Sequence, residues 1–460
     1  MTRSIVKKRD VDMTEGSIYR HLITFALPLL LGNLFQQMYN MVDAWVVGNY
    51  VSNEAYSAVG SVGPIINMLI GFFGGLASGA GVVISQNYGA GRHNKVRDAV
   101  HTAMTMTVIL SVAFTVLGVI IAPGMLRMMK TPADVFPESR LYLTIYFSGM
   151  IGLLFYNMGA GILRAVGDSR RPFYYLVVAA VTNTVLDLVF VLVFDMGVEG
   201  VALATIIAQF LSAILVVRTL LRADSCVRVE LKRLRIHWDV MGKIIRVGIP
   251  AALQMAVTAF SNVFVQSYIN FFGKHFMSGW TTFMKVDQIL FLPMQSVALS
   301  VTTFVGQNLG KNQPERAKKG VNIALGMSVC ATALLSIPII AFAPHVVRFF
   351  NSTPAVIEYG TLMLHWITAF HIFGCFNQVY AGALRGAGDS RAPMIIMLSS
   401  YVLFRQLYMF VVSNFIANVP LAIIMGYPAG WIICSLVMSI YYRKTNLTKT
   451  RLVETDVQQG

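Results

Sequence analysis

Twelve stretches of this 460-residue chain are mainly apolar over about 20 residues or more, the helix length that crosses roughly 30 Å of hydrocarbon at about 1.5 Å per residue. Their approximate bounds are 22–49, 57–87, 99–122, 139–163, 173–194, 198–217, 247–272, 279–306, 321–343, 357–384, 394–415 and 419–442. Within a bilayer a segment must satisfy its own backbone N–H and C=O groups, so such stretches fold as helices. The expected class is an all-α integral membrane protein. Charged residues make up only 12% of the chain, about half the usual share for a soluble domain whose surface must be wetted. The longest stretches imply tilt or helical extensions into water.

The net charge of +15 raises the question of nucleic acid. The positions of the basic residues answer it. With both termini inside, 29 of the 36 Lys and Arg residues fall on cytoplasmic segments and five on outer loops. That asymmetry is the topological signature of a membrane protein and leaves no reason to expect a nucleic-acid partner. The expected location is the cell (cytoplasmic or inner) membrane. The basic N-terminus runs into a long apolar segment without a convincing cleavage site, so no removable signal peptide is expected. Cys226, Cys330, Cys375 and Cys434 lie far apart and read as reduced packing residues.

The chain repeats itself. Residues 160–172 read AGILRAVGDSRRP and residues 381–393 read AGALRGAGDSRAP, with nine of thirteen positions identical at an offset of 221. The same offset lays Ser85 to Gly89 on Gly306 to Gly310, and at 222 Pro28 falls on Pro250. Six spans per half is an even number, so the halves are parallel repeats, with a substrate path expected between them. The expected organisation is an N-terminal six-helix bundle at 1–217, a cytoplasmic linker at 218–246, a C-terminal bundle at 247–442 and a cytoplasmic tail at 443–460. The duplicated loops read as structural hinges. Gly167 and Gly388 permit a tight turn, Asp168 and Asp389 can cap the next helix, and Pro172 and Pro393 suit its start.

Leu27-Pro28 and Tyr39-Asn40-Met41-Val42-Asp43 in the first span, Gln86-Asn87-Tyr88-Gly89, and the two Leu-Arg-x-x-Gly-Asp loops form an ordered series of motifs. Asn183-x-x-x-Asp187 and Gly200 to Thr205 complete it. In these motifs the sequence resembles the multidrug and toxic compound extrusion family, and within it the DinF-like prokaryotic branch. The resemblance implies twelve transmembrane helices as two six-helix bundles around a V-shaped central cavity. It also implies alternating-access export of small organic compounds, often amphipathic cations, by antiport with H⁺ or Na⁺. A monomer needing no cofactor beyond the coupling ion is expected.

Ionisable residues inside a membrane are functional candidates independently of any family. Three acids lie well inside the spans, away from their ends: Asp43, Asp187 and Asp287. Asp43, Asp187 and Thr205 each sit about six or seven residues from the outer end of their spans, hence roughly 9–11 Å deep. Asn183 and Asp187 share a helix face, as do Tyr39 and Asp43, with Gln36 one turn earlier. Two carboxylates, an amide and a hydroxyl at one depth offer hard oxygen ligands for Na⁺ and equally a place for a proton. The coupling set is therefore expected to be Asp43, Asn183, Asp187, Thr205 and Tyr39. Gln36, Tyr39 and Asn157 are expected to line the substrate cavity, and Pro28 to act as a hinge in the first span.

In the second half the neighbourhoods Gln254 to Ser261 and Phe373 to Gln378 lack a carboxylate, which places coupling in the first half. Lys285 and Asp287 point to opposite sides of their helix, so Arg405 is the expected partner of Asp287. His365 and His371 read as hydrogen-bonded rather than metal-ligating. A lipid or lipid-linked saccharide flippase would need arginine in the cavity, and Arg405 is the one arginine well inside the spans, Arg140 standing at the outer end of the fourth. An intramembrane enzyme would need a convergent histidine or nucleophile set, and a channel suits neither the repeated hinges nor the asymmetric acids. No ATP-binding loop or nucleophile motif occurs.

Overall fold

The computed structural model describes residues 11–129 and 131–453, without the side chains of Asn53, Glu54, Tyr56 and Pro64. Arg3, Lys7, Lys8, Arg9 and Lys130, which enter the charge asymmetry, lie outside the described residues, as does the tail from 454. All regular structure among the described residues is helical.

Each of the twelve apolar stretches is helix. In the first half the helices are Ile18–Tyr50, Asn53–Gly89, His93–Met128, the pair Phe136–Ser148 and Met150–Ala165, Arg170–Leu192 and Val198–Leu221. In the second half they are Trp238–Phe271, Lys274–Gly310, Pro314–Ala341, the pair Pro354–Thr368 and His371–Ala387, Arg391–Ile416 and Pro420–Lys444. Among the described residues ten single helices are long and apolar enough to cross a membrane. The fourth span qualifies as a pair bent by 48° around Gly149. A side chain at Gly149 would collide with Ile206 of the sixth span, so glycine allows the helices to close up there. The tenth span is likewise two helices, of 15 and 17 residues, interrupted at Ala369 and Phe370. Phe370 is Gly149 moved by the repeat offset, so both halves break the same helix at the same place. The seventh helix begins at Trp238, and its first turns therefore occupy the end of the stretch 218–246.

The repeat extends to atomic detail. Gly167 and Gly388 have φ of +87° and +100°, a left-handed conformation that closes a helix without Cβ strain. Asp168 N bonds to the Leu163 carbonyl at 3.0 Å, and Asp389 N to the Leu384 carbonyl at 2.9 Å. Asp168 Oδ1 accepts from the N–H groups of Arg170 and Arg171 at 3.1 Å each, and Asp389 Oδ1 accepts from Ala392 N at 3.1 Å. Both aspartates therefore cap the following helix, as the spacing predicts. One turn earlier, Gly161 faces the backbone of Ala77 and its counterpart Gly382 faces that of Ala298, a close helix approach that membrane bundles favour.

The chain divides into two compact units. One holds Leu27–Ile249 together with the residues up to Met13, and the other holds Thr14–Ala26 and Pro250 onward. The division cuts the first span beside Pro28 and the seventh at Pro250. In the second unit the start of the first span is held by Lys311, whose ammonium reaches Thr14 Oγ1 at 3.0 Å and Glu15 Oε1 at 2.7 Å. In the first unit the segment before the seventh span lies on the third. Glu230 N donates to His101 Nε2 at 3.0 Å and His237 N to Thr102 Oγ1 at 3.1 Å.

Candidate functional site

Within the first unit, the first, fourth, fifth and sixth spans bring a set of polar side chains together. Asp43 stands one turn after Tyr39 on the first span, and Asp187 one turn after Asn183 on the fifth. Asp187 is fully buried, Asn183 is 1% exposed, and Asp43 and Thr205 are 7% and 6% exposed. The Asp43 and Asp187 carboxyl groups lie within hydrogen-bonding reach of each other. As carboxylates both only accept, and among the described residues no donor reaches either Asp187 oxygen, Asp43 Oδ1 or the Asn183 carbonyl oxygen. Buried acceptors without donors are costly, and a proton or a small cation between them supplies what they lack. Asn183 Nδ2 leans toward Thr205 Oγ1 at 3.5 Å, and that hydroxyl donates to the Val201 carbonyl at 3.0 Å.

Beside this cluster is a cavity of about 130 Å³ lined by Gln36, Tyr39, Asn157, Asn183, Thr205 and Arg164 among others. The three residues expected at the substrate cavity thus share one wall system with two members of the acid cluster. Tyr39 lies near both Gln36 and Asp43, so it belongs to both. Asn157 is turned partly onto its own helix, donating to the Leu153 carbonyl at 2.9 Å. Pro28 lies inside the first helix, fifteen residues before Asp43, where it removes one intrahelical donor.

Several contributors were not read from the sequence. Tyr142 and Tyr146 are stacked with ring centroids 6.4 Å apart; Tyr142 stands by both carboxyl groups and Tyr39, and Tyr146 by Tyr39. Gln209 Nε2 reaches Tyr146 Oη at 3.5 Å. Each is one helical turn from another member, Tyr142 to Tyr146 and Thr205 to Gln209, and that spacing is the signal that finds them. Arg164 corrects the reading of Arg405 as the one arginine that matters within the spans. It belongs to a loop motif by sequence but lines the cavity, and among the described residues no carboxylate pairs with it.

The second unit brings a second correction. Arg405 does not pair with Asp287. Its Nη2 donates to Asn262 Oδ1 at 2.9 Å and Ser261 Oγ at 3.1 Å, and its guanidinium lies 4.6 Å from the Tyr427 ring centroid. Asp287 instead meets His371 Nε2 at 2.8 Å. An arginine that finds neutral acceptors and an aromatic face has no need of the carboxylate. A histidine therefore converges with an acid in this unit. His365 is hydrogen-bonded as expected, to the Ile340 carbonyl at 3.0 Å, and Lys285 turns away from Asp287 over Phe350. Among the described residues no group of three or more His, Cys, Asp or Glu side chains could hold a metal ion.

The sequence profile described as MatE matches residues 28–189 and again 250–411, one copy on each half. The chain belongs to the MatE family. As a MatE protein it is a multi-pass membrane transporter, and the matched segments reproduce the internal repeat. Among similar proteins, the "Probable multidrug resistance protein YpnP" of Bacillus subtilis is 27% identical over 94% of this chain and 96% of that one. The "FAD transporter" of Shewanella oneidensis is 24% identical over 75% of this chain and 77% of its own length. A solved structure described as the outward-facing conformation of a multidrug resistance MATE family transporter superimposes with a TM-score of 0.88. It covers 94% of this chain and 97% of its own at 21% identity, which supports the MatE fold.

Proposed function

We propose that this MatE protein exports small organic compounds, amphipathic cations among them, by antiport with H⁺ or Na⁺. The observation that carries the reading is the buried contact of Asp43 with Asp187 beside a cavity lined by Asn183 and Thr205. A proton or Na⁺ entering between the carboxyls relieves the repulsion of two acids in contact. Its departure restores that repulsion and drives the first and fifth spans to rearrange. Because Tyr39, Asn183 and Thr205 touch both places, occupancy of the acid pair alters the cavity wall. Pro28 gives the first helix a point at which to bend. The names of the multidrug resistance relatives support a broad range of organic substrates. The basic-residue asymmetry supports a cell-membrane protein with both termini cytoplasmic, and the single-chain cavity supports function as a monomer.

Arg164 favours a second reading for the substrate, a compound that also carries an anionic group, as the FAD transporter relative would handle. Efflux of a cationic dye from proteoliposomes under separately imposed proton and sodium gradients tests the main reading. Export driven by one of the two gradients is expected, and equal transport without either contradicts antiport. Flavin nucleotide transported in place of the dye would favour the second substrate class.

A further inference from the structure

The second unit contains a polar contact that this transport cycle does not use. His371 opens the second helix of the tenth span, is 1% exposed, and meets Trp431 edge-on at a centroid distance of 4.9 Å. Its Nε2 is 2.8 Å from Asp287 Oδ1, and its Nδ1 is 3.2 Å from the Thr368 carbonyl oxygen. A neutral imidazole has one N–H and one bare nitrogen, so it donates to only one of two acceptors. A carbonyl oxygen cannot donate at all. The two contacts together require one more proton than a neutral histidine and a carboxylate provide. Either His371 is imidazolium, or Asp287 is a carboxylic acid whose O–H donates to Nε2. His101 in the first unit shows the ordinary arrangement, with Nδ1 2.7 Å from the Arg97 carbonyl and Nε2 accepting from Glu230 N. One proton satisfies that ring.

The surroundings of the pair leave this proton with Asp287 and His371. From the eleventh span Arg405 is committed to Ser261, Asn262 and the Tyr427 ring, and Tyr401 accepts from Asn377. From the twelfth span Tyr427 stands near both Arg405 and Asp287, while Trp431 covers the imidazole. On the eighth span Lys285 faces Phe350, away from the pair. The ninth span offers Thr332 to the Cys375 thiol one turn beyond His371, and His365 in the first helix of the tenth is bonded to Ile340.

We propose that His371 and Asp287 form a proton-binding site in the second unit, whose bound proton fastens the eighth span to the second helix of the tenth. Loss of the proton leaves the ring one N–H for two acceptors, the Asp287 carboxylate and the Thr368 carbonyl. The nitrogen left bare repels the acceptor it faces, and the link between the helices weakens. The site does not depend on Asp43 or Asp187.

The test uses full-length protein in nanodiscs at neutral pH, read by imidazole-nitrogen NMR and by the infrared carboxylic-acid band. His371→Gln and Asp287→Asn identify the signals by what each removes, and either variant alone suffices if the other fails to fold. The expected result is an imidazolium at His371, with both ring nitrogens protonated, or a protonated Asp287, present in the native protein and unchanged in Asp43→Asn. A neutral imidazole, on either tautomer, together with no acid band removed by Asp287→Asn overturns the proposal. Persistence of the signal in Asp43→Asn, whatever that variant does to transport, separates this site from the coupling reading.

Discussion

The two units share helices, loops and even the carbonyl that faces each packing glycine, yet the acids and histidine of their buried clusters do not correspond. At the repeat offsets Tyr39, Asp43, Asp187 and Thr205 fall on Ser261, Val265, Tyr408 and Gly426. In the other direction Asp287 and His371 fall on Ile66 and Met150. Each unit fills with neutral residues the positions where the other places these acids and this histidine. The duplicated features are those that any such bundle needs: turns with positive φ, helix caps and close approaches. The divergent features are the buried charges, which a membrane tolerates only where they serve a purpose. The difference also has a chemical form. Acid facing acid is a contact that changes sign with proton or cation occupancy, whereas histidine facing acid is a contact held by its proton.

Asp187→Asn should have the largest effect on this comparison. It keeps the side-chain shape but removes one of the two acids, and gradient-driven dye export is expected to fall nearly to background while the protein still inserts. Tyr408→Phe, at the matching position of the second unit, is expected to transport close to normally. Comparable losses in both would erase the distinction between the units.

A smaller effect is expected at the prolines. Pro28→Ala restores the missing helix donor and should slow turnover severalfold, with dye binding and thermal stability nearly intact. Pro250→Ala, in a helix without an acid cluster, should slow it less. Turnover and binding measured on the same preparations decide it, and unchanged turnover in Pro28→Ala removes the hinge from the mechanism.

Arg164→Gln addresses selectivity more than rate. Transport of purely cationic dyes is expected to persist, and competition by compounds bearing an anionic group to weaken. Arg385→Gln, its counterpart in the repeat, should leave substrate preference unchanged. Loss of all substrates alike in Arg164→Gln would make the arginine structural.

The smallest effects belong to the duplicated caps. Asp168→Ala and Asp389→Ala are each expected to cost more than the about 1 kcal/mol of stability usual for a helix cap, without altering transport direction or substrate. Asp389 also accepts from Tyr441 Oη at 2.8 Å, and Asp168 pairs with Arg171, so both losses should exceed that of an isolated cap. Melting of the purified variants measures this.

The spans were legible because a bilayer imposes one length and one composition on every crossing segment. The caps were legible because their residues are neighbours in sequence. Asp43 and Asp187 could be brought to one depth by counting residues, since a helix converts sequence distance into height. Counting gives height but not azimuth, which is why Asp287 was matched to Arg405 instead of His371. Arg164 was misplaced for a related reason, because a loop motif at a helix end gives no indication that its side chain turns back into the bundle. The break at Gly149 was hidden by a run apolar enough to read as one continuous helix. Only the contact with Ile206 explains it.

The central claim is that coupling resides in the acid pair of the first unit and not in the acid–histidine pair of the second. Uphill dye export in proteoliposomes, at matched protein content, for Asp43→Asn and Asp287→Asn tests it most directly. The account predicts that Asp43→Asn is folded and cannot accumulate dye against a gradient, while folded Asp287→Asn still pumps uphill, though more slowly. Normal pumping by Asp43→Asn with a folded but inactive Asp287→Asn would contradict it and move coupling to the second unit.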